Sequence, residues 1–543
     1  MPCDETSVPG GGRLRIIPPM SRFTPLGAGF ALAVSLLSPP AAAGWVAGEA
    51  ERTIAFGFDA IVERHLQPVT AQTIALDGLR GLAEIDPQLA VTLDQGRLRL
   101  STTEKVVVDF PAASPDDTVG WARITVNAAL EASQMSERLR DADAERLYQA
   151  VFEGALGKAD LFSRYAGARE AREHRSNRSG FGGIGIKFDL IDSEVRIVEV
   201  VDDGPAAKLG LRAGDIITAI DGDPVRGLDR ADISNKLRGA VATELVLALR
   251  RGSQMLQFTL RRSLIVPQTV SSSVAGGIAH FKITSFNQRT AYSLENQLKD
   301  IRDRLGGGLQ GVVLDLRGNP GGLLDKAVAV VDLFVAEGTI ISTRGRHPAS
   351  ANSFEAKPGD IGEDLPLAVL VDGRSASAAE IVASALQDAG RAVVIGTNSY
   401  GKGTVQTVVR LPNDGEITLT WSRFHAPSGY ALHGLGVLPV LCTGAATQTA
   451  AQMVEAIGRG TLPGKPAETL AVWRGTGIDD TELRHRLRDT CPPARLGDNR
   501  LEMDLADRLL SNRAAYARAL AASAPTRGLE ALQTRPSPET GSH

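Results

Sequence analysis

Cysteine and aromatic residues are scarce in this sequence, which has three cysteines among 543 residues and only 5% aromatic residues. Three cysteines are too few for a framework of several disulfides or for a four-cysteine zinc site. The eight histidines form no H-E-x-x-H pair, the spacing with which a helix presents two zinc ligands. The sequence therefore predicts no metal site and no cofactor.

Neither sign of charge is in excess, because 59 Lys and Arg residues face 63 Asp and Glu residues and the net charge is -4. A nucleic-acid partner is not expected, since binding to phosphates needs a basic surface. Apolar residues make up 43% of the chain, which is enough for several buried cores. At about 150 residues per domain, we expect three or four folded domains.

Long apolar runs are also missing. The run at 25–37 has thirteen residues, whereas a helix that spans a bilayer needs about 18 or more. Three arginines precede this run between positions 13 and 22, and three alanines follow it at 41–43, which is the order of a signal peptide. We therefore expect residues 1–43 to be a signal peptide and the mature protein to be exported, periplasmic or otherwise extracytoplasmic, with no stable membrane span.

Hydrophobic periodicity predicts four folded parts and a multidomain α+β protein. Helical spacing predicts a helical N-terminal domain at 44–178 with a β-rich insertion. Short strands and glycine turns predict a small β-rich domain at 179–265. Strands at 310–316, 367–371 and 392–395 alternate with helices within 266–444, which predicts a parallel sheet. The extension at 445–543 is predicted to be helical, notably around 504–522, with a disordered end.

Ser377 opens a predicted helix directly after the strand at 367–371. Ser377 and Glu380 have the spacing of a capping box, which requires no catalytic role. The free N–H groups at the start of a helix could instead stabilise an oxyanion beside a serine nucleophile. This segment alone leaves both interpretations open.

Lys402 lies between two glycines, in a segment at 396–409 that contains no Asp or Glu. To act as a base at neutral pH, its pKa must fall by about three units, roughly 4 kcal/mol, and burial can lower it that far. A solvated turn lysine is the alternative. The segment also nearly matches a phosphate-binding P-loop, but Gly403 replaces the required Ser or Thr and no helix pattern follows.

A glycine turn ends another strand at the same edge of the predicted sheet. The sequence from 315 to 322 reads D-L-R-G-N-P-G-G. The N–H of Gly321 or Gly322 could complete an oxyanion site. An ordinary strand-to-helix turn explains the glycines equally well.

Together, the three segments resemble the motifs of the C-terminal processing peptidases, also called tail-specific proteases. That family carries D-L-R-x-N-x-G-G, S-A-S-A-x-E-I and G-K-G-T-V-Q in this order, and the matching segments here are 315–322, 375–381 and 401–406. The interval from Ser377 to Lys402 also fits, at 402 minus 377, or 25 positions. The resemblance implies a serine endopeptidase with a crotonase-like α/β core.

The resemblance also implies roles for single residues. Ser377, rather than Ser375, would be the nucleophile, and Lys402 the general base. Gln406 would help to orient the lysine. The N–H of Ala378, with that of Gly321 or Gly322, would hold the oxyanion. Asp388 matches an acidic position of the family, although a plain residue at the end of a helix explains it as well.

The β-rich domain resembles the PDZ domain that this family carries before its core. A PDZ domain binds an extended C-terminal peptide as an added strand, so the expected partners are proteins or peptides with accessible C-termini. Backbone N–H groups at 183–186 would receive the terminal carboxylate, and two residues of a helix would line the side-chain pocket, unless they only pack in the core. The expected peptide-binding residues are Gly183, Ile184, Gly185, Ile186, Ile233 and Leu237. An adaptor protein and an oligomer remain open.

Two features depart from the family pattern, and two rival functions remain. An insertion separates residues 85–87 from residues 163–165, and Pro-Val-Leu at 439–441 replaces the usual Pro-Asp-Ile. One rival is a PDZ scaffold without proteolytic activity. The other is an α/β-hydrolase triad with His425 or His433, although both glycines of G-x-S-x-G are missing around Ser377.

The last prediction from the sequence concerns the cysteines. Once Cys3 is removed with the signal peptide, only Cys442 and Cys491 remain. An exported protein meets an oxidising compartment, in which such a pair tends to form a disulfide. The bond would tether the C-terminal extension to the core, and two buried thiols are the alternative.

Overall fold

The computed structural model describes residues 15–16, 44–102, 106–201, 204–362, 365–444, 446–495 and 500–523. The predicted signal peptide at 1–43 lies outside the described residues, apart from the two-residue strand β1 (Arg15–Ile16). The described residues form two compact units, of which the smaller contains β1 and the residues from Arg175 to Pro267, and the larger contains those from 44 to 174 and from 268 to 523. Across the described ranges, no helix is both long and apolar enough to cross a membrane.

The first part of the larger unit is mainly helical. Apolar residues at helical spacing, including Ile54, Phe58 and Ile61, are fully buried and hold the helices together. A three-stranded antiparallel sheet is inserted between the second and third helices. The elements are α1 (Ala47–Arg64), α2 (Ala71–Gly81), β2 (Ala90–Asp94), β3 (Arg97–Ser101), β4 (Val106–Pro111), α3 (Thr118–Met135), α4 (Glu137–Arg140), α5 (Ala144–Gly157) and β5 (Arg164–Ala166). The next helix, α6 (Ala168–Ser179), contains the boundary between the two units.

The smaller unit is a β-rich domain with its own apolar core. Its main sheet has the order β1-β12-β11-β9-β8-β7, so β7 lies at an edge. The elements are β6 (Phe181–Gly183), β7 (Ile186–Ile191), β8 (Glu194–Val200), α7 (Pro205–Lys208), β9 (Ile216–Ile220), β10 (Asp223–Pro224), α8 (Arg230–Leu237), β11 (Glu244–Arg251), β12 (Gln254–Arg261) and β13 (Ser263–Ile265). An edge strand beside a helix is the geometry that can accept an added peptide strand.

The second part of the larger unit contains the predicted parallel sheet. Its order is β14-β15-β16-β19-β20-β23, and every neighbouring pair except β14 with β15 is parallel. Strands β16, β19 and β20 are entirely buried, as expected for a parallel sheet that is covered on both faces. The elements are β14 (Val270–Ala275), β15 (Ile278–Ile283), α9 (Thr290–Leu305), β16 (Gly311–Asp315), α10 (Leu324–Asp332), β17 (Thr339–Arg344), β18 (Asn352–Glu355), β19 (Leu367–Val371), α11 (Ala378–Asp388), β20 (Val393–Gly396), β21 (Thr404–Arg410), β22 (Glu416–His425) and β23 (Leu441–Cys442).

A second, antiparallel sheet of this part has the order β18-β17-β22-β21, and β5 also pairs with β22. Strand β5 therefore brings the segment around residue 160 against this sheet. The same sheet contains β21, the strand that begins shortly after Lys402. Short 3₁₀ turns occur at Leu82–Glu84, Gly306–Gly308 and Pro348–Ser350. The mixed α+β architecture predicted from the sequence is confirmed.

The C-terminal helices share one hydrophobic core with the parallel sheet. They are α12 (Ala450–Gly458), α13 (Pro466–Gly475), α14 (Thr481–Asp489), α15 (Arg500–Ser511) and α16 (Arg513–Ser523). A disulfide joins Cys442 to Cys491, with the two Cα atoms 6.0 Å apart. Asp388 at the end of α11 pairs with the buried Arg474 of α13 at 2.7 Å, so the extension is also tied to the helix that carries Ser377.

Candidate active site

Ser377 stands at the start of α11 in a backbone conformation that is unusual for a residue with a side chain. Its φ is 54° and its ψ is -116°, and such strain clusters at functional sites. Ser377 is partly exposed. Ser375, by contrast, is fully buried, and its hydroxyl donates to the Leu316 carbonyl at 2.8 Å and accepts from the Asp372 N–H at 2.9 Å. Ser375 therefore holds the loop together.

Glu380 connects the serine segment to the lysine segment. Its buried carboxylate accepts the N–H of Ser377 at 2.8 Å and the N–H of Lys402 at 2.9 Å through the same oxygen, Oε2. The other oxygen accepts the Ser399 hydroxyl at 2.5 Å and the Gly401 N–H at 2.6 Å. Burial raises the pKa of Glu380, and these four hydrogen bonds oppose that effect. Glu380 thus does more than cap its own helix.

Lys402 is half-buried beside an aromatic ring. Its Nζ lies 5.0 Å from the centroid of the Phe162 ring. Within the described part of the chain, no carboxylate pairs with this ammonium group and no hydrogen bond reaches it. Burial, and after it the positive charge of Arg164, lowers the pKa of Lys402 below its ordinary value, against opposing effects of Glu380 and Asp160. A lysine in this setting can lose its proton more easily than one in water.

The glycine turn lies against the serine. A side chain at Gly321 would come within 2.9 Å of the Ser377 Cβ and 3.1 Å of the Ala378 nitrogen. The Gly321 N–H donates to Asn319 Oδ1 at 2.8 Å, whereas the N–H groups of Gly322 and Ala378 have no acceptor among the described residues. Gly322 and Ala378 therefore have the N–H groups that remain available for an oxyanion.

Buried polar groups hold this turn in place. Asn319 is fully buried. Its side-chain amide donates to the Ile283 carbonyl at 2.8 Å, and its own carbonyl accepts the Ala376 N–H at 2.9 Å. The Gly318 N–H donates to Asp372 at 2.8 Å. The turn and the serine loop are thus one hydrogen-bonded unit at the carboxyl ends of β16 and β19.

Gln406 lies on β21, beyond Lys402 in the sequence, and its side chain contacts two threonines. Its amide nitrogen donates to Thr404 Oγ1 at 2.8 Å and to Thr420 Oγ1 at 3.3 Å. The Thr420 hydroxyl in turn donates to Asp160 at 3.0 Å. No hydrogen bond joins Gln406 to Lys402 among the described residues, so its orienting role stays a prediction.

Asp160 is a site residue for which the sequence carries no motif. The only local signal is its place three residues before Ser163, whose hydroxyl donates to it at 2.5 Å. Asp86, the acidic residue of the segment at 85–87, accepts instead from Ser136 at 2.6 Å. The carboxylate that accepts the Ser163 hydroxyl is therefore supplied by the residues directly before Ser163 and not by the segment at 85–87.

The two candidate triad histidines lack the partner that such a base needs. A triad histidine is oriented by a carboxylate at its second ring nitrogen. In His425 and His433, Nδ1 is buried without a hydrogen-bond partner among the described residues. Burial is the first cause that lowers the pKa of both rings. Among the residues that the structure describes, no three or more His, Cys, Asp or Glu side chains form a group that could hold a metal ion.

The smaller unit contains a cleft of about 80 Å³ beside β6 and α8. Among the described residues, no acceptor binds the N–H groups of Ile184 and Gly185. Ile233 is fully buried in the core, whereas Leu237 lines the cleft. The lining residues are Phe181, Gly183, Ile184, Gly185, Ile186, Phe188, Ser234, Leu237 and Arg238.

Known proteins resemble this chain in two regions. Residues 277–441 match peptidase family S41, and residues 196–251 match a PDZ domain. The carboxy-terminal-processing protease of Bartonella bacilliformis is 39% identical over 301 residues, which are 55% of this chain and 69% of that protein. A probable CtpA-like serine protease of Staphylococcus saprophyticus is 30% identical over 308 residues, 56% of this chain and 62% of that protein. The solved structure of a photosystem II D1 C-terminal processing protease aligns at 24% identity over 68% of this chain and 92% of that one, with a TM-score of 0.35.

Proposed function

Because this chain belongs to peptidase family S41 and is a serine-type peptidase of the carboxy-terminal-processing group, we propose that Ser377 is its nucleophile and Lys402 its general base. The observation that carries the proposal is the shared oxygen of Glu380, which accepts an N–H from each of the two residues. One buried carboxylate thereby fixes the backbones of both.

The first chemical step transfers a proton from serine to lysine. The Ser377 hydroxyl attacks the scissile carbonyl carbon as the neutral Lys402 amine accepts its proton. The lowered pKa of Lys402, for which burial is the first cause, supports this role. The carbonyl oxygen becomes negative in the tetrahedral intermediate and accepts the N–H groups of Ala378 and Gly322.

The later steps use the same groups in reverse. The lysine ammonium gives its proton to the leaving amine, and an acyl-enzyme remains on Ser377. Lys402 then accepts a proton from water as the water oxygen attacks the ester carbonyl. When the second tetrahedral intermediate collapses, the lysine ammonium returns this proton to the Ser377 oxygen, and the second product is freed as a carboxylic acid. We also propose that Gln406, whose amide donates to Thr404 and Thr420, helps to orient the lysine.

The proposed substrates are proteins with accessible, mainly apolar C-terminal tails. The PDZ domain would bind such a tail along β7, with its carboxylate at the N–H groups of Ile184 and Gly185. The leucine and phenylalanine side chains of the cleft support a preference for an apolar last residue. We also propose that the protein is exported, which the signal-like sequence at 1–43 and the Cys442–Cys491 disulfide support.

Cleavage of an unfolded protein tests the proposal, with products mapped by mass spectrometry. Ser377→Ala and Lys402→Ala should each lose activity by about three orders of magnitude or more. Lys299→Ala, at an exposed lysine of α9, should cleave like the unmodified protein. Full activity of Ser377→Ala would refute the assignment of the nucleophile.

A further inference from the structure

Asp160 organises a tight turn close to the lysine. One oxygen of its carboxylate accepts the N–H groups of Phe162 at 2.6 Å and Ser163 at 2.9 Å. The other accepts the Ser163 hydroxyl and lies 2.8 Å from His65 Nε2. Burial alone would raise the pKa of Asp160, but these hydrogen bonds outweigh it and hold the pKa well below its ordinary range. The turn therefore keeps its charge and its shape at neutral pH.

The turn is also fastened to the catalytic sheet. The Thr420 N–H donates to the Ser163 hydroxyl at 3.0 Å, and the Thr420 hydroxyl donates to Asp160 at 3.0 Å. The same Thr420 oxygen accepts the Gln406 amide. Two residues after Phe162, Arg164 pairs with Thr418 in register. A displacement of the turn would thus have to break several hydrogen bonds.

The fixed turn places the ring of Phe162 near two groups of the site. Lys402 Nζ lies 5.0 Å from the ring centroid. The His433 ring packs against it in an edge-to-face arrangement, at 6.3 Å between centroids. Phe162 belongs to none of the hydrophobic cores, although the next aromatic residue, Tyr165, is buried in one. Core packing therefore does not explain why an aromatic ring occupies this position.

We propose that Phe162 is a positioning residue for Lys402, whose ring fixes the direction of the amine and keeps water from one side of it. The inference rests on the proposed role of Lys402 as the base. The ring has two opposite effects on the proton. Its negative face attracts an ammonium ion, whereas the exclusion of water disfavours that ion. Burial is the first cause of the lowered pKa of Lys402, and the ring lies beside the buried amine. We take the exclusion of water to be the larger of the two effects, and substitutions of Phe162 compare them directly.

Other charges around the amine do not change when the ring is replaced. Glu380 and Asp160 favour the protonated lysine, and Arg164 disfavours it. His433 packs against the ring, and its pKa is lowered chiefly by burial. Substitutions at Phe162 therefore change water access and ring contact while they leave these groups in place.

The test compares three substitutions of Phe162 through the pH dependence of kcat/KM on a peptide substrate. Phe162→Ala admits water, so the acid limb should move to higher pH. Activity at pH 7 should then fall about tenfold for each pH unit that the limb moves, and it should recover above the limb. In Phe162→Gln the new side chain has a size similar to leucine but offers an oxygen to the ammonium ion. The acid limb of this variant should therefore also move to higher pH. If the alanine variant does not fold, the glutamine variant replaces it in the test. Phe162→Leu keeps an apolar cover, so its limb should stay or move lower. An even loss at all pH values in the alanine and glutamine variants would overturn the proposal.

A second measurement reads the amine without any turnover. In the Ser377→Ala background, the rate of acetylation of Lys402 by acetic anhydride is followed against pH by peptide mass spectrometry, with Lys299 as the internal reference. The midpoint for Lys402 should move to higher pH with Phe162→Ala or Phe162→Gln and not with Phe162→Leu. Equal midpoints in all variants would contradict the inference. If Lys402→Ala is inactive while the Phe162 variants keep the pH dependence of the unmodified protein, only the inference about Phe162 fails. If Lys402→Ala is active, the proposed role of Lys402 as the base fails.

Discussion

The N–H groups of Ser377 and Lys402 donate to the same oxygen of Glu380, at 2.8 and 2.9 Å. The two residues are far apart in the sequence and lie on different elements, one before α11 and the other before β21. A single buried carboxylate therefore holds the backbones of the proposed nucleophile and the proposed base at a fixed distance. Both segments should respond together to any change at Glu380.

Replacement of Glu380 by glutamine should lower kcat far more than it changes KM. The amide nitrogen of glutamine cannot accept a hydrogen bond, so at least one of the four donors around the carboxylate loses its acceptor. Each buried donor left without an acceptor costs about 1–3 kcal/mol of stability. Steady-state kinetics and urea unfolding measure the two effects, and Glu455→Gln on the surface of α12 is the control. An unchanged kcat would contradict the role of Glu380.

Replacement of Lys402 by methionine should abolish activity and stabilise the fold at neutral pH. Burial lowers the pKa of Lys402 in the folded state, so the unfolded chain binds more protons and the charged lysine opposes folding. The loss of folding free energy caused by the charged lysine is fully present below the pKa of Lys402 in the folded state. It disappears as the pH rises to the ordinary pKa of a lysine. Thermal unfolding should therefore show a higher melting temperature for Lys402→Met at pH 7, and a smaller difference at pH 10. A lower melting temperature at pH 7 would indicate that the lysine is well solvated.

Peptide binding by the PDZ domain should depend on a free carboxylate. The N–H groups of Ile184 and Gly185 have no acceptor in the described structure, and hydrogen bonds to a charged group are the stronger kind. Amidation of the last residue should weaken binding by about 1.5–3 kcal/mol, which is more than tenfold in Kd. Calorimetry on the full-length Ser377→Ala protein measures this without cleavage. Equal affinity for acid and amide peptides would contradict the predicted mode.

Loss of the disulfide should destabilise the protein without abolishing proteolysis. Cys442 and Cys491 are 49 positions apart, and a closed loop of that length is worth about 4 kcal/mol by chain entropy. Cys442→Ser with Cys491→Ser should therefore unfold at lower urea concentration and retain cleavage at 25 °C. The matched control is the unmodified protein with a reductant, which should unfold like the double variant. Identical unfolding with and without the reductant would show that the bond is absent or without effect.

The motifs pointed to the serine loop, the lysine and the glycine turn because their residue types and spacing match those of the family, and the structure brings the serine loop and the glycine turn together. The buried strands at 310–316 and 367–371 were equally predictable, since a continuous apolar run is typical of a parallel sheet. The stretch predicted to be helical around 504–522 is helical and consists of two helices, because α15 ends at Ser511 and α16 begins at Arg513. The Asn512 side chain between them accepts the Ala515 N–H at 3.1 Å, and such a cap starts a new helix.

Contacts between distant segments could not be predicted in this way. The spacing from Ser377 to Glu380 is explained completely by a capping box, so nothing in the sequence points from Glu380 to Lys402. Asp160 meets His65 across 95 positions and Thr420 across 260. No local pattern of hydrophobicity or motif spacing records such pairs, because only the fold brings them together.

The most direct test of the central claim is the kcat/KM of the double variant Ser377→Ala with Lys402→Ala, measured beside both single variants on one unfolded protein substrate. If the serine and the lysine act as one unit, removal of either already removes the function of the other. The double variant should then be no less active than either single variant. A double variant whose loss equals the product of the two single losses would contradict the account, because it would show that the two residues act independently.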